Sequence, residues 1–463
     1  MRQRAMTLAP NRHASAQWDV QAPRTPWLHR IAGAIGALLV AACVWVFWGA
    51  DAWHERTSVS AAHLGASAAP SLEHGAYLAR IGNCALCHTA PGGAPFAGGR
   101  AIETPFGAVL STNITPDPTQ GIGQWSANDF WRALHHGKSR DGRRLSPAFP
   151  YTSYTRVSRA DADDLFAYLQ TVTPSARPNS ASPLAWPFNT QAALAVWRAL
   201  YFWPQPASLE PDGASPVAGG GGVNAADAPG PARGKYLVHG LGHCTECHGK
   251  RNLLGGLVPG NELAGAVLPG VPWHAPSLQD PSQAGAASAA DTVALLQIGA
   301  AGGRFVGGPM AEVVLHGTQH LTDADAQAIA LYLQAVAWPT SPVARPAQTS
   351  NADPRAARIY EDQCADCHGK EGQGQAGAYP ALAGNRAVLM AQPNNAVLSV
   401  LHGGFAPATA GNPRPYGMPP FLLQLGDADV AAVLTHVRSS WGNQGAPVSA
   451  LQVQQIRRTQ ATP

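Results

Sequence analysis

Between Ile31 and Ala50 the chain reads IAGAIGALLVAACVWVFWGA, twenty residues without a charge. As a helix rising about 1.5 Å per residue, this run can cross a hydrocarbon layer about 30 Å thick. Arg2, Arg4, Arg12, Arg24 and Arg30 precede it, while Arg56 follows in company with Asp51 and Glu55. That bias predicts a cytoplasmic segment at 1–30 and export of everything beyond the run, to the periplasmic side of the inner membrane. Trp27, Trp45, Trp48 and Trp53 stand where interfacial aromatics belong. Ala50-Asp51-Ala52 also resembles a cleavage site, so 31–50 reads as a transmembrane anchor or a signal sequence, and its length favours the anchor.

Past residue 70 the pattern changes to short amphipathic helices that repeat one plan. VSRADADDLFAYL begins at Val157, LTDADAQAIALYL at Leu321 and LGDADVAAVLTHV at Leu425. Ser158, Thr322 and Gly426 take the N-cap position, and Asp161, Asp325 and Asp429 fall in the first turn, where a carboxylate favours the helix dipole. Leu165, Tyr168 and Leu169, matched by Ile329, Tyr332 and Leu333, share one face and predict a core stripe. Pro/Gly/Ser-rich stretches at 206–232 and 339–354 separate the copies, and 57–71 spaces the first from the apolar run. The chain is therefore predicted to be mainly α, with three tandem domains at 70–205, 230–338 and 355–445. Its 463 residues agree, because a single core rarely grows past about 250 to 300.

Charge adds one exclusion. A formal net charge of +3, dispersed along the chain, gives no footprint for nucleic acid. Cysteine adds the chemistry. One of seven, Cys43, lies in the apolar run; the other six form NCALCHT, HCTECHG and QCADCHG. Each is C-x-x-C-H, in which two thiols on one helical turn can each add to a vinyl group of a haem while the adjacent histidine is held under the iron. Zinc would need two such pairs per metal, and a disulfide gives no reason for the histidine. Three covalently bound haem c groups follow, on Cys84 and Cys87, Cys244 and Cys247, and Cys364 and Cys367, with His88, His248 and His368 as proximal ligands.

A haem that only carries electrons usually takes a second axial ligand, commonly methionine. GGPMAEVV places Met310 eleven residues before Leu321, and YGMPPF places Met418 seven before Leu425, both in what reads as a Pro-bounded loop. Met390, on an apolar run, reads as core. The matching slot ahead of Val157 holds Phe149, in LSPAFPYTSYTRV, and there is no methionine from residue 7 to 309. The first haem is then five-coordinate under the Phe149 ring, bound by His135 or His136 of RALHHGK, or reached by a partner chain.

GAYLARIGNCALCHT and the stretch from FAGGRAIETPFG through STNITPD to LSPAFPYTSYT resemble the triheme cytochrome c subunits of bacterial membrane-bound alcohol, gluconate and fructose dehydrogenases. Similar subunits accompany molybdenum hydroxylases. The TPFG and STNITPD segments carry this resemblance more specifically than C-x-x-C-H does, and GGPMAEVV and YGMPP extend it over about 370 residues. The resemblance implies class I cytochrome c domains and a non-catalytic chain. Its partner would be a separate dehydrogenase subunit of flavin, quinone-cofactor or molybdenum type, and its acceptor ubiquinone or a terminal oxidase. It also implies Met310 and Met418 as distal ligands. The competing function is a haem enzyme, peroxidase-like or gas-binding, at an open first site. SPLAWPFNTQAALAVWRALYFWP, 182–204, resembles the family's aromatic insertion and either packs on its own domain or faces the partner or the bilayer. The G-x-G-x-x-G at Gly372, Gly374 and Gly377 follows a cysteine pair instead of a strand, so it reads as a loop at a haem edge and not as a nucleotide site.

Overall fold

The structure, a computed structural model, describes residues 26–49, 69–205, 230–279, 288–336 and 353–460. The arginines ahead of residue 26, the Ala50-Asp51-Ala52 pattern, Trp53 and nearly all of the three spacers lie outside the described residues. The apolar run forms an α-helix, Pro26–Val44, whose last turn, Trp45–Gly49, widens to π geometry. It is long and apolar enough to cross a membrane, and the window Arg30–Phe47 is not buried by the rest of the chain. Its end is held from outside: Arg144 Nη2 donates to the Phe47 carbonyl at 3.0 Å, supplying one of the partners that a helix C-terminus lacks.

The same order of elements then occurs three times. An opening helix (Leu72–Ile81, Pro231–His239, Pro354–Gln363) leads into a C-x-x-C-H turn (Cys84–His88, Thr245–His248, Ala365–His368). A closing helix (Arg159–Leu169, Asp323–Ala335, Asp427–Ser439) returns to pack on the opening one. Glycine permits two of these crossings, since a Cβ at Gly75 or Gly234 would lie 2.0 Å from the carbonyl oxygen of Asp164 or Ala328. The caps form as the sequence predicts: Ser158 Oγ accepts from the Asp161 amide at 3.1 Å and Thr322 Oγ1 from that of Asp325 at 3.2 Å. Leu165 and Leu169 are buried, as is Ile329. The remaining regular structure among the described residues includes four two-stranded antiparallel pairs of two residues per strand, too short to leave an alternating pattern in the sequence.

The first two segments are not independent beads. Leu78, Leu165 and Leu169 of the first share one core with Tyr236, Leu237, Leu241 and Ile329 of the second. Two hydrogen bonds cross this seam reciprocally: Tyr77 donates to Asp325 Oδ2 at 2.6 Å and Tyr236 donates to Asp161 Oδ2 at 2.5 Å. The first-turn aspartates therefore do more than favour a dipole. Asp429 has a local partner instead, Arg355 at 2.5 Å. The third segment docks through polar contacts, among them Asn395, which exchanges hydrogen bonds with the His274 backbone at 2.8 Å in both directions. A helix at Ala450–Gln460, past the boundary read at 445, buries Val453 and Ile456 against this segment and sets Arg457 2.7 Å from Asp427.

The aromatic insertion becomes the helix Gln191–Tyr201, capped by Thr190 and packed on the π turn after the apolar helix. Phe202 is buried and Trp197 Nε1 donates to the Leu254 carbonyl of the second segment at 2.8 Å, whereas Trp186 and Trp203 stay 81% and 63% exposed. One face of the segment packs inward, as the first reading expects, and the other stays open.

Candidate haem sites

Each C-x-x-C-H turn presents its histidine in the same way. His88 Nδ1 lies 2.6 Å from the Thr112 carbonyl oxygen, His248 Nδ1 2.7 Å from that of Pro276 and His368 Nδ1 2.9 Å from that of Pro380. A carbonyl can only accept, so each Nδ1 carries the proton and each Nε2 keeps its lone pair for a metal. Burial lowers the pKa of all three rings, which favours the neutral form that ligates.

The carbonyl loops are fixed by glycine. The amides of Gly98, Gly265 and Gly374 donate to the carbonyls of His88, His248 and His368, each at 2.7 Å. All three have positive φ, 71°, 80° and 65°, and a Cβ at any of them would come within 2.6 Å of backbone on the loop that carries the acceptor. Gly374, from the G-x-G-x-x-G stretch, thus sits beside His368. Sequence reasoning missed Gly98, Gly265 and the acceptors Thr112, Pro276 and Pro380. The acceptors lie in short loops downstream of their motifs (LSTNI, HAPSL, YPALA), and no one residue type marks all three.

The cysteines fit thioether attachment better than metal or redox chemistry. Burial pushes the Cys84 and Cys244 thiols up to about 12, far from a thiolate. Among the described residues no three His, Cys, Asp or Glu side chains converge as a metal cluster. Around the first motif a cavity of about 1760 Å³ is lined by Cys84, Cys87 and His88, by apolar side chains including Phe130 and Leu134, and by Arg100, Arg140 and Arg251. An apolar pocket edged with guanidinium groups suits a flat apolar ring that carries carboxylates. Cys247 of the second motif also lines it, as does Phe405 of the third segment.

The distal slots share a local plan. The helices Ala127–His136, Ala289–Gln297 and Asn394–His402 end at or near a positive-φ glycine, Gly137, Gly299 or Gly403. An antiparallel rung follows each: Lys138 with Arg144, Ala300 with Phe305, and Gly404 with Met418. Phe149 and Met310 both stand five residues beyond the second member of their rung. The loops expected around the methionines need correction. Met310 lies in the first turn of the helix Pro309–His316, because Pro309 supplies a preformed N1 residue, and Met418 lies in a strand, paired with Gly404. Met390 is buried in the core, as expected.

His135 and His136 do not line the first cavity. The His135 ring is fully buried and stacked on Trp131, with centroids 4.5 Å apart, and the His136 carbonyl accepts from buried Arg198 at 2.7 Å. A histidine the sequence reading passed over, His243, does line the cavity. It holds its Nδ1 2.9 Å from the Leu241 carbonyl, and its ring lies 5.6 Å from that of Tyr154.

The Cytochrome c family model matches residues 355–441. Over 424 residues the chain is 35% identical to the cytochrome c subunit of the quinone alcohol dehydrogenase of Gluconobacter oxydans, covering 87% of this chain and 86% of that one. The chain belongs to the dehydrogenase cytochrome c subunits. It is also 36% identical over 407 residues to the gluconate 2-dehydrogenase cytochrome c subunit of Pantoea cypripedii, covering 84% of this chain and 89% of that one. To the fructose dehydrogenase cytochrome subunit of Gluconobacter japonicus it is 37% identical over 421 residues, 84% of this chain and 83% of that one. These relatives are named as cytochrome subunits of dehydrogenases, which makes this chain an electron-transfer subunit, and a cytochrome c domain carries covalent haem c.

Proposed function

We propose that this cytochrome c subunit is a three-haem wire, built as class I cytochrome c domains at 70–205, 230–338 and 355–445. In this reading Cys84 with Cys87, Cys244 with Cys247, and Cys364 with Cys367 hold the haems. His88, His248 and His368 are the proximal ligands, and Met310 and Met418 the distal ligands of the second and third sites. Bound there, haem supplies one-electron redox chemistry at its iron. The observation that carries the reading is the threefold recurrence of a histidine whose Nδ1 is committed to a backbone carbonyl while its Nε2 is left free.

The protein's own contribution is to orient the imidazoles, keep them neutral and exclude water with apolar walls. Electrons would enter from a dehydrogenase subunit on the periplasmic side of the inner membrane and leave to ubiquinone or a terminal oxidase. The helix Pro26–Val44 would be retained as the anchor. The shared core of the first two segments, and Cys87 and Cys247 lining one cavity, favour direct passage between the first and second haems.

Pyridine haemochrome analysis against protein mass tests the count, with three haems per chain expected and one fewer in each Cys-pair variant. Met310→Leu and Met418→Leu should each turn one low-spin ferric haem high-spin in electron paramagnetic resonance. Two haems in the parent would refute the count, and unchanged spectra in both leucine variants would remove the methionine assignments.

A further inference from the structure

We propose that Phe149 leaves the distal face of the first haem without a protein ligand and makes it a binding site for a small neutral diatomic molecule. The inference rests on His88 being that haem's proximal ligand. Phe149 holds the place in the first segment that Met310 holds in the second, five residues past the rung. Its ring lines the cavity that contains Cys84, Cys87 and His88, and packs on Tyr154 with centroids 5.3 Å apart. A phenyl ring offers a metal no lone pair.

The side chains that the sequence offered as stand-ins are elsewhere. No methionine lines the cavity, and neither His135 nor His136 does. His135 is committed to its stack on Trp131 inside the core. The two histidines on the cavity wall are His88 and His243, and the His243 ring meets the edge of Tyr154, whose ring also meets Phe149. Phe149 packs against the buried cluster that contains Phe130, Leu134, Val157 and Leu165, and these four also line the cavity. A neutral diatomic entering against that apolar cluster loses little hydration. Binding adds one coordinate bond, breaks none and transfers no electron.

Carbon monoxide is the probe, added to the dithionite-reduced full-length protein carrying its haems. One third of the haem absorbance should shift in the Soret region, and the oxidised protein should show one high-spin ferric haem in three. Phe149→Met should abolish both signals, and Phe149→Leu, which adds no ligand, should keep both. A Cys84→Ser/Cys87→Ser variant should lose one haem and all carbon monoxide uptake.

Three low-spin haems and no uptake in the parent would overturn the proposal. His243→Ala converting one of them to high spin would then identify the true ligand. Retained uptake after loss of the first haem would place the open site elsewhere and equally overturn it. Unchanged haem content in the double serine variant is a different failure: it would refute haem attachment at Cys84 and Cys87, and the proposal with it.

Discussion

Tyr236 and Asp161 form a hydrogen bond of 2.5 Å between two segments of the chain, with both side chains buried. The hydroxyl also accepts from the Ser158 amide at 3.1 Å, so one phenol caps the start of a helix that belongs to the neighbouring segment. Tyr77 repeats this in the opposite direction, donating to Asp325 and accepting from the Thr322 amide at 3.3 Å, but in a less buried setting where Arg233 also holds Asp325 at 2.8 Å. A hydroxyl removed from a more buried carboxylate costs more. Tyr236→Phe is expected to lower stability by about 2 kcal/mol and Tyr77→Phe by about 1 kcal/mol. Urea unfolding at constant slope measures both; equal losses would refute the dependence on burial, and negligible losses would show that the seam is held by its apolar core alone.

The orientation of His88, His248 and His368 depends on glycines at positive φ with backbone where a Cβ would lie. At Gly98 φ is +71° and a Cβ would sit 2.4 Å from the Thr112 carbonyl carbon, in the residue whose oxygen orients His88. Gly98→Ala should push that loop away, cost at least about 2 kcal/mol and reduce haem incorporation at the first site. Gly92, also at positive φ but with open space around its Cβ, is the control and should cost about 1 kcal/mol with haem content unchanged. Equal haem loss in both would mean that left-handed strain, and not loop displacement, is what matters.

How much of this was legible in the sequence follows the range of each interaction. The C-x-x-C-H turns and the Ser158 and Thr322 caps are local, and their residues sit within a few positions of one another, so spacing reveals them. Asp161 and Asp325 looked fully explained as first-turn carboxylates, which hid partners 75 and 248 residues away. The acceptors for the histidines are backbone carbonyls, and a backbone atom leaves no residue-type signature beyond the glycine that lets it approach. The helix Ala450–Gln460 was missed because its sequence, ALQVQQIRRTQ, is largely polar and only a few side chains, Val453 and Ile456 among them, reach the core. Phe149 was legible as a departure from pattern, but the absence of His135 from its cavity needed the fold.

The tryptophans of the insertion divide by environment. Trp197 gives its indole hydrogen to the Leu254 carbonyl and meets Tyr151 edge-on at 6.3 Å, joining the insertion to the second segment. Trp197→Phe loses that bond and should cost about 1 kcal/mol. Trp186→Ser and Trp203→Ser alter exposed rings and should stay within about 0.5 kcal/mol of the parent. Thermal unfolding of the three variants decides, and a large loss from Trp203→Ser would show that its ring is structural after all.

His135 makes stability depend on acidity. Burial pushes its pKa down to about 4, with the backbone of Gln205 and Thr155 opposing only part of that fall, whereas in the unfolded chain it titrates near about 6.5. Between those values the unfolded chain binds the extra proton, so stability rises with pH across the window. The contribution is fully present above about pH 6.5, declines as the pH falls toward 4, and levels off below that, where both states are protonated. A shift of this size corresponds to at most about 3 kcal/mol. His239, lowered to about 4 by burial first and Arg156 second, adds to the same window. His135→Phe keeps an aromatic ring against Trp131 and removes the proton site. Its stability should match the parent near pH 7.5 and exceed it near pH 4.5, so the slope between them becomes shallower. Urea titrations at several pH values give that slope directly. Parallel curves for parent and variant would mean that the ring accepts a proton without leaving its stack, and acid lability would then have to be sought at His239.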